Sequence, residues 1–497
     1  MSPFHAHVAR ISDVLCAVNA LEWDLRVMMP RGGATTRGHQ IATLKGLARE
    51  MILDPALADV AAAAAESADD LEARTGRAVL AARDHHARIP ADLLRRRAEG
   101  AALAGAAWAE ARATSDFGLF RPHLERMVGV ARETAQALGY EAHPYDPMVD
   151  LFEPGESAAS LATLFDRLRA GIRPILDEAR GRPAPRTDFL HRHYPAEGQQ
   201  RFCRRVAEWL GYDFDRGRLD TAVHPFEISQ TRGDVRITSR WPERYLPMSI
   251  FGTIHETGHG LYEQGAPEAL TRSVHTTDLR GLYAVAGTSF GMHESQSRLL
   301  ENHVGRTAAF WAIHFSVLRD TFPEQLEDVT EAEFVASVNR VEPGPIRVEA
   351  DELTYDLHIM LRVRLEMAMM AGDLLPADLP GAWMEGMRGD LAVVPENDAM
   401  GCLQDVHWSH GYMGSFPTYT IGNVAAAQIM DHLDRNAPEV RAALEGGDPA
   451  PLRGALDEIV WRHARSRDRR EILAGIGCEA GDCTPYLAHL RRRFLPA

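Results

Sequence analysis

Apolar residues recur at spacings of three and four along most of this chain, a period typical of helices that bury one face. The clearest stretches are 37–51, 56–86 and 101–139, where alanine, leucine, arginine and glutamate dominate. Glycine and proline interrupt the pattern at 30–33 and 153–155. The pattern therefore predicts antiparallel helices packed together in the N-terminal third of the chain.

One stretch, 224–240, changes to a period of two. Its segments HPFEIS and DVRITSR flank a turn that contains Gly233, which predicts a β-hairpin. Helical periodicity resumes at about 242 and continues almost to the last residue, apart from a loop with glycine and proline at about 395–423. No repeat or long linker interrupts the chain, so the sequence predicts one mainly α domain over 1–497.

Acidic side chains outnumber basic ones and give the chain a net charge of −16 at pH 7. Short basic runs occur at 95–97 and 491–493, and such runs are typical of solvated helix faces. Since no larger basic patch is visible, the sequence predicts no nucleic-acid partner. No run of about 18 apolar residues occurs, so no membrane span is predicted either.

The five cysteines include no C-x-x-C pair, and the first residues lack the basic segment and apolar core of an export signal. Neither a disulfide framework nor a thiolate zinc site is therefore expected. These features predict a protein of the reducing cytoplasm.

His255, Glu256 and His259 form an H-E-x-x-H motif inside a helix predicted from 247 to 264. Residues four apart on a helix lie one above the other, so both imidazoles can reach one metal ion. Glu256 would then lie beside the open coordination position, where it can take a proton from water. Two surface histidines at this spacing are the alternative, so a third ligand must decide.

Glu294 is the candidate third ligand, because it lies in a second helical pattern and would complete a His₂Glu site. The metzincin continuation of the motif is excluded, because it would need Gly at Tyr262 and His at Gly265. His293 competes with Glu294, although adjacent helical residues point in different directions and only one can face the ion. Zinc suits these ligands, and cobalt or manganese would also be accepted.

Six short motifs occur in order: HPF at 224–226, DxRxT at 234–238, HExxH at 255–259, HESQ at 293–296, IRxxAD at 346–351 and GxxQDxHW at 401–408. Together they resemble the metallocarboxypeptidases typified by carboxypeptidase Taq. The resemblance implies a large helical, cleft-divided fold with a small β-hairpin or sheet near the active site. It also implies an N-terminal helical lid at about 1–150, a catalytic core at about 200–430, a homodimer, and removal of C-terminal residues from peptides with broad specificity.

Two departures from the family pattern stand out. The spacer between His255 and Glu294 is longer than the family's usual one, which implies an insertion within about 266–284. Ser415 stands where the family usually has an aromatic residue before the Phe-Pro-Thr-Tyr segment, and this change predicts a wider pocket.

A carboxypeptidase must bind a free carboxylate, for which a guanidinium is the natural bidentate partner. Arg347 and Arg236 are the candidates, and a structural ion pair, such as Arg236 with Asp234, is the alternative for each.

An oxyanion also needs hydrogen-bond donors, and His224, His407 and Tyr419 are available for this role or for a purely structural one. Asp405 is interpreted as an outer carboxylate that bonds a ligand imidazole, and a structural role within its own loop is the alternative.

The sequence therefore predicts a zinc-type carboxypeptidase with Glu256 as general base, acting on peptide substrates. A metallo-endopeptidase or oligopeptidase would use the same three ligands without a carboxylate-binding arginine. A non-catalytic, metal-dependent peptide-binding protein is the alternative from another class, but such a protein has no need of Glu256.

Overall fold

The structure is a computed structural model that describes residues 2–495, and 69% of the structure is helical. Up to the first strand, the α-helices are α1 Pro3–Val27, α2 Ala34–Leu53, α3 Pro55–Ala65, α4 Asp70–Arg88, α5 Ala91–Thr114, α6 Phe117–Leu138, α7 Asp146–Val149, α8 Ala158–Arg180 and α9 Ala196–Leu210. The strands are β1 Gly217–Thr221, β2 Glu227–Thr231, β3 Asp234–Ser239, β4 Thr277–Asp278 and β5 Tyr283–Ala284. The later helices are α10 Leu246–Gly265, α11 Phe290–Arg298, α12 Ala308–Thr321, α13 Pro323–Leu326, α14 Glu331–Val338, α15 Glu352–Ala371, α16 Leu379–Leu391, α17 Pro417–Asn436, α18 Pro438–Glu445, α19 Ala450–Ile459, α20 Arg469–Gly475 and α21 Thr484–Phe494. The prediction of a mainly α fold is confirmed, and no described helix is long and apolar enough to span a membrane.

The chain divides into two compact units, and each unit is assembled from three separate segments. Unit one consists of residues 2–86, Pro185–Val338 and Ala425–Ala480. Unit two consists of Ala87–Ala184, Asn339–Val424 and residues 481–495. The division into an N-terminal lid and a catalytic core stays a prediction.

Two of the predicted helical stretches are each split into two helices. The stretch 56–86 is split between α3 and α4, where the Asp69 side chain accepts a hydrogen bond from the main-chain N–H of Glu72. The stretch 101–139 is split at Ser115, which adopts a left-handed φ of 54°. The next residue, Asp116, caps α6. Both breaks are short, at 66–69 and at 115–116, and the apolar spacing resumes directly after each, so periodicity alone missed them. The cause in each case is a local polar cap.

The small sheet of unit one lies against α10, the helix that carries the H-E-x-x-H motif. β2 and β3 form the predicted antiparallel hairpin, and β1 pairs in parallel with β3 to give the strand order β1-β3-β2. Thr253 on α10 donates a hydrogen bond to Ser239 at the end of β3, with 2.9 Å between the hydroxyl oxygens. The prediction of a small sheet beside the motif is therefore confirmed.

The core of unit one packs behind α10. It is built from buried aromatic and aliphatic side chains of α9, α10, α12 and α17 to α20, including Phe202, Ile254, Tyr262 and Trp311. Phe202 and Trp311 stack with their ring planes 7° apart. Burial of this much apolar surface fixes the motif helix on a rigid support.

The segment with the predicted insertion, 266–284, packs against α1. Its two short strands, β4 and β5, pair with each other, and Ser12 on α1 lies 2.8 Å from the Thr277 hydroxyl. Asn19, also on α1, donates to the carbonyls of Ala284 and Ser229. These bonds link α1 to both β2 and β5, so the segment 266–284 is an ordered part of unit one.

Gly258 lies inside the motif where α11 passes directly against α10. A Cβ at this position would be 2.4 Å from the carbonyl oxygen of Gln296 and 2.5 Å from Cα of Ser297. Main-chain atoms cannot rotate away, so we expect Gly258→Ala to lower the free energy of unfolding by about 1–3 kcal/mol. Denaturant unfolding of the metal-free protein measures this loss.

The matched control for that prediction is Gly252→Ala on the same helix. The atoms nearest to a Cβ at Gly252 are 3.9 Å and 4.0 Å away, which is ordinary van der Waals contact. Since alanine is the better helix former, this variant should be as stable as the natural protein or more so. Equal stability of both variants would contradict the tight packing of α11 at Gly258.

In unit two, the start of α15 is set by a cap. Asp351 accepts hydrogen bonds from the main-chain N–H groups of Leu353 and Thr354. A short 3₁₀ turn, Arg347–Glu349, precedes this cap. The predicted loop over 395–423 ends earlier, because α17 begins at Pro417, a residue well suited to the first helical turn.

Candidate metal centre

Two helices of unit one bring the predicted metal ligands together. His255 and His259 lie one turn apart on α10, and Glu294 lies on α11. Nε2 of His255 is 3.5 Å and Nε2 of His259 is 3.2 Å from the same carboxylate oxygen, Oε2 of Glu294. One ligand atom from each residue lies within 4.8 Å of the others. Two imidazoles and a carboxylate that meet in this way fit the donor set of a divalent zinc-type ion.

Among residues 2–495, this is the one group of three or more His, Cys, Asp or Glu side chains with metal-binding geometry. Arg298 donates to Oε1 of Glu294 at 2.7 Å, which leaves Oε2 directed at the two histidines. Burial would raise the pKa of Glu294, but Arg298 and His255 hold it well below its usual range. The carboxylate is therefore ready to bind a cation.

A second carboxylate fixes the orientation of the His255 ring. Nδ1 of His255 lies 3.0 Å from Oε2 of Glu301, and Arg306 donates to the other oxygen of Glu301 at 2.8 Å. Glu301 belongs to a π-helical segment, Leu299–Gly305, that continues α11. A carboxylate on the distal nitrogen of a ligand histidine sets its tautomer and raises its basicity.

Glu301 was not predicted from the sequence. The prediction that Asp405 has this outer role is wrong, because Asp405 is paired with Arg347 and Arg362 instead. The available signal was an acidic residue about two helical turns after Glu294, and therefore on the same side of the helix. The π-helical turn, which has no clear sequence signature, sets its final position.

We expect Glu301→Gln to weaken metal binding by about 10- to 100-fold, because the amide neither holds the His255 ring as firmly nor increases its basicity. Competition with a chromophoric zinc chelator measures the affinity of the metal-free protein. Glu268→Gln, at an exposed glutamate of the same unit, is the control and should bind zinc as the natural protein does. Equal affinity of the two variants would contradict the role of Glu301.

Glu256 is buried beside the ligands and has an unused acceptor. Its Oε2 makes no hydrogen bond, and 6% of the residue is exposed. Burial raises the pKa of Glu256 to about 7, while His255 opposes this shift. A carboxyl group with a pKa near neutrality and a free oxygen suits proton transfer at physiological pH.

His293, the competing ligand, lies outside the group of three. Its Nε2 is 2.9 Å from Oε1 of Glu263, so this nitrogen already has a partner. Its ring stacks on that of His259, with centroids 4.5 Å apart and planes 18° apart.

In unit two, Arg347 belongs to a buried cluster in which two guanidinium groups share one carboxylate. Arg347 donates to Oδ1 of Asp405 at 3.0 and 2.8 Å, and Arg362 donates to Oδ2 at 2.6 Å. Tyr355 accepts a further bond from Arg347 at 3.0 Å. The three charged groups carry a net positive charge that this cluster leaves unbalanced, so it can attract an anion.

Arg236 has a different environment. Both of its bonds to Asp234 measure 2.8 Å, and its guanidinium lies 4.3 Å from the centre of the Trp23 ring. The Asp234 carboxylate therefore balances the charge of Arg236. This is the structural ion pair that was the alternative to a role in substrate binding. His224 is exposed in the turn between β1 and β2.

His407 and Tyr419 are hydrogen-bonded to each other, with 3.0 Å between Nε2 and the phenol oxygen. Burial lowers the pKa of His407 to about 3, although Asp405 opposes this shift, so the ring is neutral. Tyr419 also lies under Arg347, whose guanidinium is 5.1 Å from the ring centre. Ser415 is buried and donates to the carbonyl of Tyr412 at 2.8 Å, and the wider pocket stays a prediction.

Comparison with known proteins gives a consistent result over the full chain. The family model described as Carboxypeptidase Taq (M32) metallopeptidase matches residues 3–494. The chain is 38% identical to thermostable carboxypeptidase 1 of Thermus thermophilus, over 97% of this chain and 95% of the relative. It is 37% identical to carboxypeptidase 1 of Bacillus subtilis, over 93% and 92%. The solved structure of the M32 carboxypeptidase from Deinococcus radiodurans matches with a TM-score of 0.93 and 37% identity, over 99% of this chain and 98% of that one.

A helical fold of this kind, with an H-E-x-x-H helix and a further carboxylate beside it, defines a metal-dependent peptidase. The chain belongs to the carboxypeptidase Taq (M32) family of metallopeptidases. It is accordingly an enzyme that hydrolyses peptides, a metallocarboxypeptidase that depends on a divalent metal ion. The family, the fold class and the reaction predicted from the sequence are confirmed.

Proposed function

We propose that the enzyme is a zinc carboxypeptidase of broad specificity in which His255, His259 and Glu294 hold the ion and Glu256 is the general base. The observation that carries this proposal is the convergence of both Nε2 atoms on one oxygen of Glu294. Cobalt or manganese would fit the same donors. The lack of a predicted disulfide framework supports a cytoplasmic location, and the family resemblance supports a homodimer.

A bound divalent ion supplies two effects, because it polarises the scissile carbonyl and lowers the pKa of a water molecule. Oε2 of Glu256, which has no other partner, takes the proton from the attacking water. The same oxygen then delivers the proton to the nitrogen of the departing residue. Arg298 and Glu301 hold the ligands still while this proton moves.

Arg347 binds the free carboxylate of the peptide. The unbalanced positive charge of its cluster supports this role, because Asp405 is already shared with Arg362. Arg236 is the second candidate, but its pairing with Asp234 makes it the weaker one. A guanidinium that recognises the terminal carboxylate restricts cleavage to the last residue of the chain.

His407, Tyr419 and His224 are the proposed hydrogen-bond donors to the peptide. The bond between His407 and Tyr419 directs the tyrosine hydroxyl, and the position of Tyr419 beneath Arg347 supports a role near the carboxylate. Because His407 is neutral, it donates or accepts a hydrogen bond without adding charge.

The test uses matched peptides that differ only at the C-terminus, one with a free acid and one with an amide. The zinc-loaded enzyme should shorten the acid stepwise from its C-terminus and leave the amide intact, and mass spectrometry resolves the ladder of products. Equal shortening of the acid and the amide would contradict the proposed recognition of a free terminal carboxylate.

A further inference from the structure

The two histidines proposed to hold the metal are oriented by different means. Nδ1 of His255 is bonded to Glu301. Nδ1 of His259 is buried and, among the described residues, has no hydrogen-bond partner. Ligand histidines almost always bond their second nitrogen, because this bond fixes the ring. The usual constraint is therefore missing from His259.

A stacked ring takes the place of that hydrogen bond. The imidazole of His293 lies nearly parallel to that of His259, with centroids 4.5 Å apart and an angle of 18° between the planes. Tyr262, one turn after His259 on α10, also stacks with His293, at 5.6 Å and 26°. Rotation of the His259 ring would break this contact.

His293 can serve as a support because it is itself fixed on two sides. Its Nε2 is 2.9 Å from Glu263, whose carboxylate also accepts hydrogen bonds from Ser229 and from the main-chain N–H groups of Ala286 and Gly287. Gly287 lies so close that a Cβ there would be 2.3 Å from Cδ2 of His293. The glycine and the carboxylate together leave the ring one orientation.

We infer that His293 is a positioning residue for the metal: its stacked ring fixes His259, while the next residue, Glu294, supplies a ligand. The inference rests on the proposed metal site and adds a role for the histidine that the sequence presented as a rival ligand. One turn of α11 therefore serves both functions, and His293 contributes to metal affinity without touching the ion.

Two variants separate the ring from the hydrogen bond. His293→Phe keeps a flat ring against His259 but has no donor for Glu263, whereas His293→Gln keeps a donor and has no ring. We expect His293→Gln to bind zinc about tenfold more weakly than the natural protein, and His293→Phe to stay within about threefold of it. Chelator competition on the metal-free proteins measures both, with thermal unfolding to verify that each variant is folded.

The inference is overturned if the two variants lose affinity equally, if only His293→Phe loses it, or if neither does. If His293→Phe fails to fold because Glu263 has lost a partner, His293→Phe with Glu263→Gln replaces it. If His293→Gln fails, His293→Leu replaces it, with the same expected order. His255→Ala distinguishes the two proposals: if the natural protein binds no more zinc than this variant, the metal site itself is refuted, and the role of His293 with it.

Discussion

Glu256→Gln should retain the metal and lose hydrolysis. The amide cannot accept a proton, so we expect kcat to fall by about 10³-fold. Glu256 lies outside the group of three ligand residues, so chelator competition should give the zinc affinity of the natural protein. Stopped assays on a peptide with a free C-terminus measure the loss. Undiminished hydrolysis would contradict the proposed mechanism.

The stability of the metal-free protein provides a control that does not depend on turnover. Burial raises the pKa of Glu256 from 4.5 to about 7, so the folded state disfavours the charged form. The free energy of unfolding is therefore unaffected by this group below about pH 4.5 and falls as the pH rises through 7. Glu256→Gln lacks this loss, so its stability relative to the natural protein should increase over the same range. A constant difference across pH would mean that Glu256 titrates normally.

Local signals predicted the elements that carry the metal ligands. The helix expected at 247–264 is observed at Leu246–Gly265, because a proline at its start, a glycine at its end and apolar periodicity between them all act within one segment. The hairpin at 224–240 is equally local, since its two strands adjoin one turn. His255 and His259 follow from helix geometry alone, whereas Glu294 needed the second motif.

Partners that lie far apart in the sequence could not be predicted. Asp405 illustrates this. Its motif singles it out in the sequence, but its pairing with Arg347 and Arg362 depends on how separate segments of the chain pack. The interleaving of the two units has the same origin, because each draws on three stretches of chain and no linker marks the change. The position of Glu301 beside His255 depends on its spacing of two helical turns from Glu294 and on the π-helical segment that contains it. Only the spacing is visible in the sequence.

Arg347→Ala should remove the preference for a free C-terminus. We expect kcat/KM for a peptide acid to fall by about a hundredfold, equivalent to about 3 kcal/mol, because a charged bidentate contact is lost. Asp405 keeps its bond to Arg362 at 2.6 Å, so it does not become an unpaired buried charge, and the variant should fold. Arg347→Lys restores the charge without the planar fork, and should recover part of the loss.

The matched comparison is Arg236→Ala, because both arginines were candidates for the same role. Arg236 is already balanced by Asp234, so its removal should reduce kcat/KM for the peptide acid far less than removal of Arg347 does. The ratio of rates for acid and amide peptides is the decisive measurement, since a general disturbance of the fold lowers both rates and leaves the ratio unchanged. Arg347→Ala should bring this ratio close to one. If Arg236→Ala brings the ratio close to one instead, the carboxylate is bound at the hairpin of unit one, and the proposed role of Arg347 is refuted.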